Sequence, residues 1–215
     1  KELGVPFKND PRHPVFIEKD GITIMEDGCA FEYTLLPAVN SQGIFSQINQ
    51  ANDMLDSFLA KCNYKRKTLP TINYEVERFL DKDDDYSYCL IFGCDPDKDA
   101  IEESYICQPI NALKHPYRYG GGHFHVGSLN PNIIEFIKAY YKIMVRFMAI
   151  FVALPCIVNT AYPDLEIKRS EIYGRPGRYR LQNWGLEYRT PSNSWTNSKI
   201  TLERMVGGSY LAFEL

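Results

Sequence analysis

The sequence predicts an α+β fold, in which antiparallel strands with one polar face are accompanied by two long helices. Three observations lead there. An Asp27-Gly28 pair joins two β-rich runs; side chains alternate in chemistry at 123–126 and 184–190; and apolar residues recur at helical spacing over 41–63 and 130–155. A chain of 215 residues is enough for one large domain with an ordinary core, and 1–215 reads as a single unit.

Taken in order, "GITIMEDGCAFEYTLLPA" (21–38) is a hairpin, because Asp-Gly between alternating runs favours a tight turn. In its second run Cys29, Phe31, Tyr33 and Leu35 share one side, and Ala30, Glu32 and Thr34 the other. The stretch 41–63 spaces Ile44, Phe45, Ile48, Met54, Leu55, Phe58 and Leu59 as a covering helix does, with Ser41 as its N-cap. "DKDDD" (81–85) reads as a solvated loop, and "YSYCLIFG" after it as a strand that ends at a "GCDPD" turn. Residues 98–119 form a long ordered loop, a place where functional lids are common. In "GGGHFHVG" (120–127) an extended backbone puts His123 and His125 on one face and Phe124 and Val126 on the other. Asn130 or Pro131 then opens the longest helix, which ends at Pro155.

Composition narrows the partners. With 24 basic against 27 acidic residues the net charge is -3, which argues against a protein that coats nucleic acid. Cys29, Cys62, Cys89, Cys94, Cys107 and Cys156 contain no CxxC pair and read as reduced thiols in a cytosolic setting. "FMAIFVALPCIV" (147–158) is too short to cross a bilayer and reads as core, so no membrane partner is expected. No signal peptide stands at the start.

The chemistry gathers on three strands of one design: Glu32 on the first, His123 and His125 on the second, and Glu187 with Arg189 on "WGLEYRT" (184–190). An antiparallel sheet with a wet face is common, but such faces are filled with Thr, Lys, Ser and Gln rather than His, Glu, Arg and Gly. Two carboxylates and an imidazole suit a hard cation, and the adjacent arginine ties that cation to phosphate chemistry, so Mg²⁺ or Mn²⁺ is expected ahead of zinc held by the two histidines. Upstream, "KRSEIYGRPGRYR" (168–180) supplies Arg169, Arg175, Arg178 and Arg180, guanidinium forks that match phosphate and carboxylate. Arg175 alone reads as a surface residue. Glycines at 120–122, 127 and 185 leave room for a ligand close to the backbone, although turns account for some of them.

"GGGHFHVGS" together with "RSEIYGRPGRYRLQNWGLEYRTPSNSW" resembles the carboxylate–amine ligases of the glutamine synthetase superfamily. More narrowly it is similar to the phage-encoded COOH·NH2 ligases of the phiEco32-like type. The resemblance extends through "EDGCAFEYTLLPA", "FGCDPD" and the helix after the histidine strand. It implies a curved antiparallel sheet with helices on its outer face and the site on its concave face. It also implies an ATP-dependent ligase that joins a carboxylate to an amine through an acyl phosphate, in the host cytoplasm if phage-encoded. By motif, Glu32, His123 and Glu187 become metal ligands; His125, Arg178 and Arg180 approach the nucleotide phosphates; Arg189, Arg180 and Arg169 hold the transferring phosphate or the acyl group. The early carboxylate strand of that pattern has no counterpart before "KELGVPF", and Asp95 and Asp97 do not replace it, so either a missing N-terminal piece carries it or this chain has lost part of the site; in that superfamily a neighbouring subunit can also complete sites. Two other readings follow from the same residues, a metal-dependent hydrolase and a degenerate ligase fold kept as a structural module.

Overall fold

A computed structural model describes residues 15–28, 30–73, 75, 77, 97–103, 105–106 and 114–214. The acidic tract 81–85, the strand expected at 86–93, Asp95, and Cys29, Cys89, Cys94 and Cys107 lie outside the described residues. The chain divides into two compact units: 1–67 with 73–94 and 109–116, and 68–72 with 95–108 and 117–215.

The first unit is an antiparallel meander of β1 (Val15–Lys19), β2 (Ile22–Asp27) and β3 (Ala30–Thr34), with α1 (Ser41–Lys61) packed on it. The expected hairpin closes with Asp27 opposite Ala30. A second hairpin joins β1 to β2 through Asp20 and Gly21, both at positive φ (53° and 78°), as a two-residue turn with the right twist for a hairpin requires. Its Asp-Gly signal is as strong as the one at 27–28. Asn40, not Ser41, caps α1: its Oδ1 accepts from the Gly43 amide at 2.8 Å, because the capping position lies one residue before the first helical one. Ile24, Leu55 and Leu59 form the core, with Tyr33 and Phe58 against it, while Phe31 stacks edge-on among Phe16 and Phe58. Glu32 is exposed on β3, opposite Met25.

The second unit holds a two-stranded ladder of β4 (Thr71–Asn73) with β7 (Tyr117–Tyr119), and an antiparallel sheet. Its strand order is β6 (Tyr105–Ile106), β5 (Asp97–Asp99), β9 (Arg178–Gln182), β10 (Gly185–Tyr188) and β8 (Phe124–Gly127). The fold is therefore α+β with antiparallel sheets, and 98–119 is partly strand rather than a long loop. Tyr179, Leu186 and Tyr188 face α2 (Pro131–Met148), whose Tyr141 ring lies 5.0 Å from that of Tyr179. Asn130 caps α2 as expected, accepting from the Asn132 amide at 3.0 Å.

The helix does not stop at Pro155. Proline lacks the amide hydrogen and clashes with the carbonyl four residues back, and a wide π turn at Ala149–Ala153 absorbs that clash. The chain then continues helical through α3 (Leu154–Val158), with Pro155 in its first turn. The 28-residue run Pro131–Val158 is thus long and apolar enough to cross a membrane by composition. Within the unit it serves as a core helix, with Ile137, Val145, Met148 and Val152 buried against the sheet and α5 (Lys199–Glu214). α4 (Pro163–Ser170) completes the unit, with a short 3₁₀ turn at Asn193–Asn197.

Candidate active site on the polar face of the sheet

Register decides which side chains meet. Glu187 pairs with His125 on one side and with Arg180 on the other, so the three form a row across β8, β10 and β9. The next row joins residues 123, 189 and 178, the Arg189 amide donating to the Arg178 carbonyl at 2.9 Å. The alternation read from the sequence thus places two histidines, a glutamate and three arginines on one face.

Glu187 is the hub of that face. It is 5% exposed, and burial alone would push its carboxyl up. Its neighbours reverse this and hold it well below the usual carboxylate range: His123 Nδ1 at 3.3 Å and Arg189 Nη1 on Oε1, with Gln182 Nε2 at 2.9 Å on Oε2. Arg180 Nη1 approaches Oε2 to 3.6 Å. Tyr173 closes a ring of hydrogen bonds. Arg189 Nη2 donates to its hydroxyl at 3.2 Å, and the hydroxyl lies 2.7 Å from His123 Nε2. Two tautomers of neutral His123 satisfy this ring: the proton on Nδ1, facing Glu187, with the tyrosine donating to Nε2, or the proton on Nε2, donated to the tyrosine oxygen, with a bare Nδ1 3.5 Å from Arg189 Nη1. Burial, followed by the Arg189 charge and opposed by Glu187, lowers the His123 pKa to about 4.

A pH dependence of stability follows. Between about pH 6.5 and 4 the unfolded chain takes up a proton at residue 123 and the folded chain does not. The contribution of neutral His123 is complete above that window and is lost as pH falls through it; Glu187 adds a further loss below its ordinary pKa of 4.5. Denaturant melts at pH 7, 5.5 and 4 should show the decline, and His123→Gln should flatten its upper part. A variant with the parent's slope would remove His123 from the account.

The remaining candidates take different places. Arg169 is 1% exposed, and all three of its guanidinium nitrogens donate to backbone: Nε to Gly120 O at 2.9 Å, Nη1 to Thr190 O at 2.6 Å and Nη2 to Pro191 O at 3.2 Å. It holds the chain just before His123 and just after Arg189, so here it is a positioning residue. Gly174, at φ 71°, is required beside it, because a Cβ would collide with the guanidinium. One turn earlier on α4, buried Glu166 accepts from the Ser192 and Ser194 hydroxyls and fixes the same loop. Arg178 is buried with its Nε 3.5 Å from Asp99 Oδ2, while Arg180 and His125 are the accessible cation and imidazole, His125 resting on Trp184 at 5.0 Å between rings. Arg175 pairs with Glu102 at 3.1 Å, in keeping with a surface role. The space at Gly120 and Gly122 is taken by the chain's own residues 192–195, not left open for a ligand; Trp195 Nε1 donates to Gly122 O at 2.9 Å.

For a divalent cation, the His123 tautomer with its proton on Nε2 offers a bare Nδ1 beside Glu187 Oε1, 3.3 Å away, an adjacent nitrogen–oxygen pair of the right chemistry. Mg²⁺ commonly needs only one or two protein ligands, the rest coming from phosphate and water. Glu32 belongs to the other unit, and among the described residues no three His, Cys, Asp or Glu side chains gather as a metal cluster. Three participants escaped the sequence reading. Gln182 follows Arg178 and Arg180 at period two and was visible in that alternation; Tyr173 and Glu166, in a loop and on a short helix, carry no comparable signal.

Neither the curated proteins nor the solved structures contain a match to the chain. A family model does match, over residues 112–208, a stretch that takes in β7 through β10, Arg169, Tyr173 and the whole hydrogen-bonded ring. Its description is phage phiEco32-like COOH.NH2 ligase-type 2, and it is this family of carboxylate–amine ligases that the segment is similar to.

Proposed function

We propose that the chain works as an ATP-dependent ligase that forms an amide from a carboxylate and an amine through an acyl phosphate. The observation that supports this most is the convergence of Arg180, Glu187, His125, His123 and Arg189 on one face of three adjacent strands. A carboxylate oxygen attacks the γ-phosphorus of ATP, and the bond to the bridging oxygen of ADP breaks. The amine nitrogen then attacks the acyl carbon, loses a proton, and expels inorganic phosphate.

In this reading Arg180, the accessible guanidinium, takes phosphate oxygens, with exposed His125 beside it as a further donor. Arg189, fixed by Glu187 and Tyr173, is the preorganised charge for the tetrahedral oxyanion. His123 and Glu187 would hold Mg²⁺ or Mn²⁺, which when bound supplies positive charge against the polyphosphate. The lowered pKa values of both residues keep them in the forms that can ligate, a neutral imidazole and a carboxylate, at neutral pH.

One observation favours a second reading, a ligase fold kept as a structural module: the Glu187 charge is already balanced by the chain's own Arg189. Calorimetric titration with ATP, with and without Mg²⁺, separates the two. The ligase reading expects Mg²⁺-dependent binding, weakened about tenfold or more by Arg180→Ala, since a charged hydrogen bond contributes roughly 1.5–3 kcal/mol. A chain that binds no nucleotide under either condition is a module.

A further inference from the structure

The long helix carries a feature that the ligase chemistry does not use. Ile133, Phe136, Tyr140, Ile143, Ile150 and Leu154 are each 47–54% exposed on its outer side, and Val158 is 74% exposed beyond them. Half-buried Phe147 fills the gap in the series. The steps from 133 to 154 alternate between three and four residues, the spacing of a coiled-coil seam, and continue across the π turn. The opposite side of the same helix is already packed on the sheet and α5, so the seam is surplus to the core of this unit. Exposed apolar runs of this length on a folded surface mark a contact.

We infer that this seam is a dimerisation surface whose partner is the same seam on a second copy of the chain. A heptad seam is self-complementary, and a two-fold axis places it against itself. It is about 40 Å long at 1.5 Å per residue. Its half-exposed side chains leave roughly 700 Å² of apolar surface per copy, close to the about 800 Å² per partner of an ordinary stable interface. Phe136 and Tyr140, with rings 4.8 Å apart, supply the aromatic anchors that carry interface energy. The helix's charges lie off the seam and are paired within the chain: Lys142 and Arg146 with Glu103 at 3.3 and 2.9 Å, and Lys138 with Glu135 at 3.2 Å. Two copies therefore meet without like-charge repulsion along the contact. The same pairing argues against a lipid surface, where an amphipathic helix is flanked by basic side chains turned to headgroups.

Sedimentation velocity of the chain from 0.5 to 100 µM tests this. The expected species has twice the 24.8 kDa mass of one chain, and Phe136→Glu with Ile143→Glu should weaken association at least 100-fold while leaving far-UV dichroism and the melting transition unchanged, because neither side chain enters the core. Ile200→Glu, exposed on α5 and away from the seam, should leave the dimer intact. A parent chain that stays monomeric throughout, or a doubly substituted chain that dimerises as tightly as the parent, would overturn the proposal. So would a monomer that pellets with phosphatidylcholine–phosphatidylglycerol vesicles, which would give the seam to lipid.

Discussion

Glu187→Gln is expected to destabilise the chain by about 3 kcal/mol and to lower the proposed amide formation about a hundredfold or more. The substitution keeps size and one acceptor oxygen, so it removes the charge and one acceptor without opening a void. In the parent the carboxylate faces Arg189 and His123 on one oxygen and Gln182 on the other, with Arg180 close by. Without it Arg189, 3% exposed, becomes a buried cation with no counter-charge at that position. Breaking such a pair from one side costs more than the pair contributes, because the survivor keeps its desolvation penalty. For a chain of this size the loss corresponds to a fall in melting temperature of roughly 6–12 °C. Glu187→Ala, which a surface ligand would tolerate, should do worse here, since it also opens a void. A Gln variant that melts with the parent would show that Glu187 is not the counter-charge of Arg189.

Arg169→Lys is expected to cost about 2–4 kcal/mol although it preserves the charge. One ammonium cannot reproduce three donors in a planar fork, so at least one of the carbonyls of Gly120, Thr190 and Pro191 loses its partner in a buried setting. Were the residue an accessible phosphate ligand, the same change would chiefly weaken nucleotide binding and spare the melt. A lowered melting temperature together with faster hydrogen exchange at the amides of 120–122 and 190 would support the positioning role; an unchanged melt with weakened ATP binding would return Arg169 to the ligand set.

How far the sequence could be read depended on periodicity. The polar rows on β8, β9 and β10 were legible because period-two alternation is a local property, and cross-strand pairing only had to bring like faces together. The α1 and α2 helices were legible for the same reason at a period near 3.6, down to Asn130 as a cap. What escaped was non-periodic. Nothing in "RSEIYGRPGRYR" distinguishes Arg169, turned onto backbone carbonyls, from Arg180, turned toward Glu187, because burial is set by the docking of α4 on residues 49 positions upstream and 21 downstream. The glycines misled in a similar way: their lack of side chain serves the close approach of Ser192 and Trp195, which a single strand cannot reveal. The continuation past Pro155 was hidden because a π turn leaves no compositional mark.

The fork of Arg169 also imposes an order of assembly. Gly120 precedes it in the chain and Thr190 and Pro191 follow it, so the three anchor points cannot all be present until Pro191 has been synthesised. The guanidinium waits only for the 21 to 22 residues that follow it, solvated until then, and the face bearing the histidines and Glu187 sets once that stretch has been added.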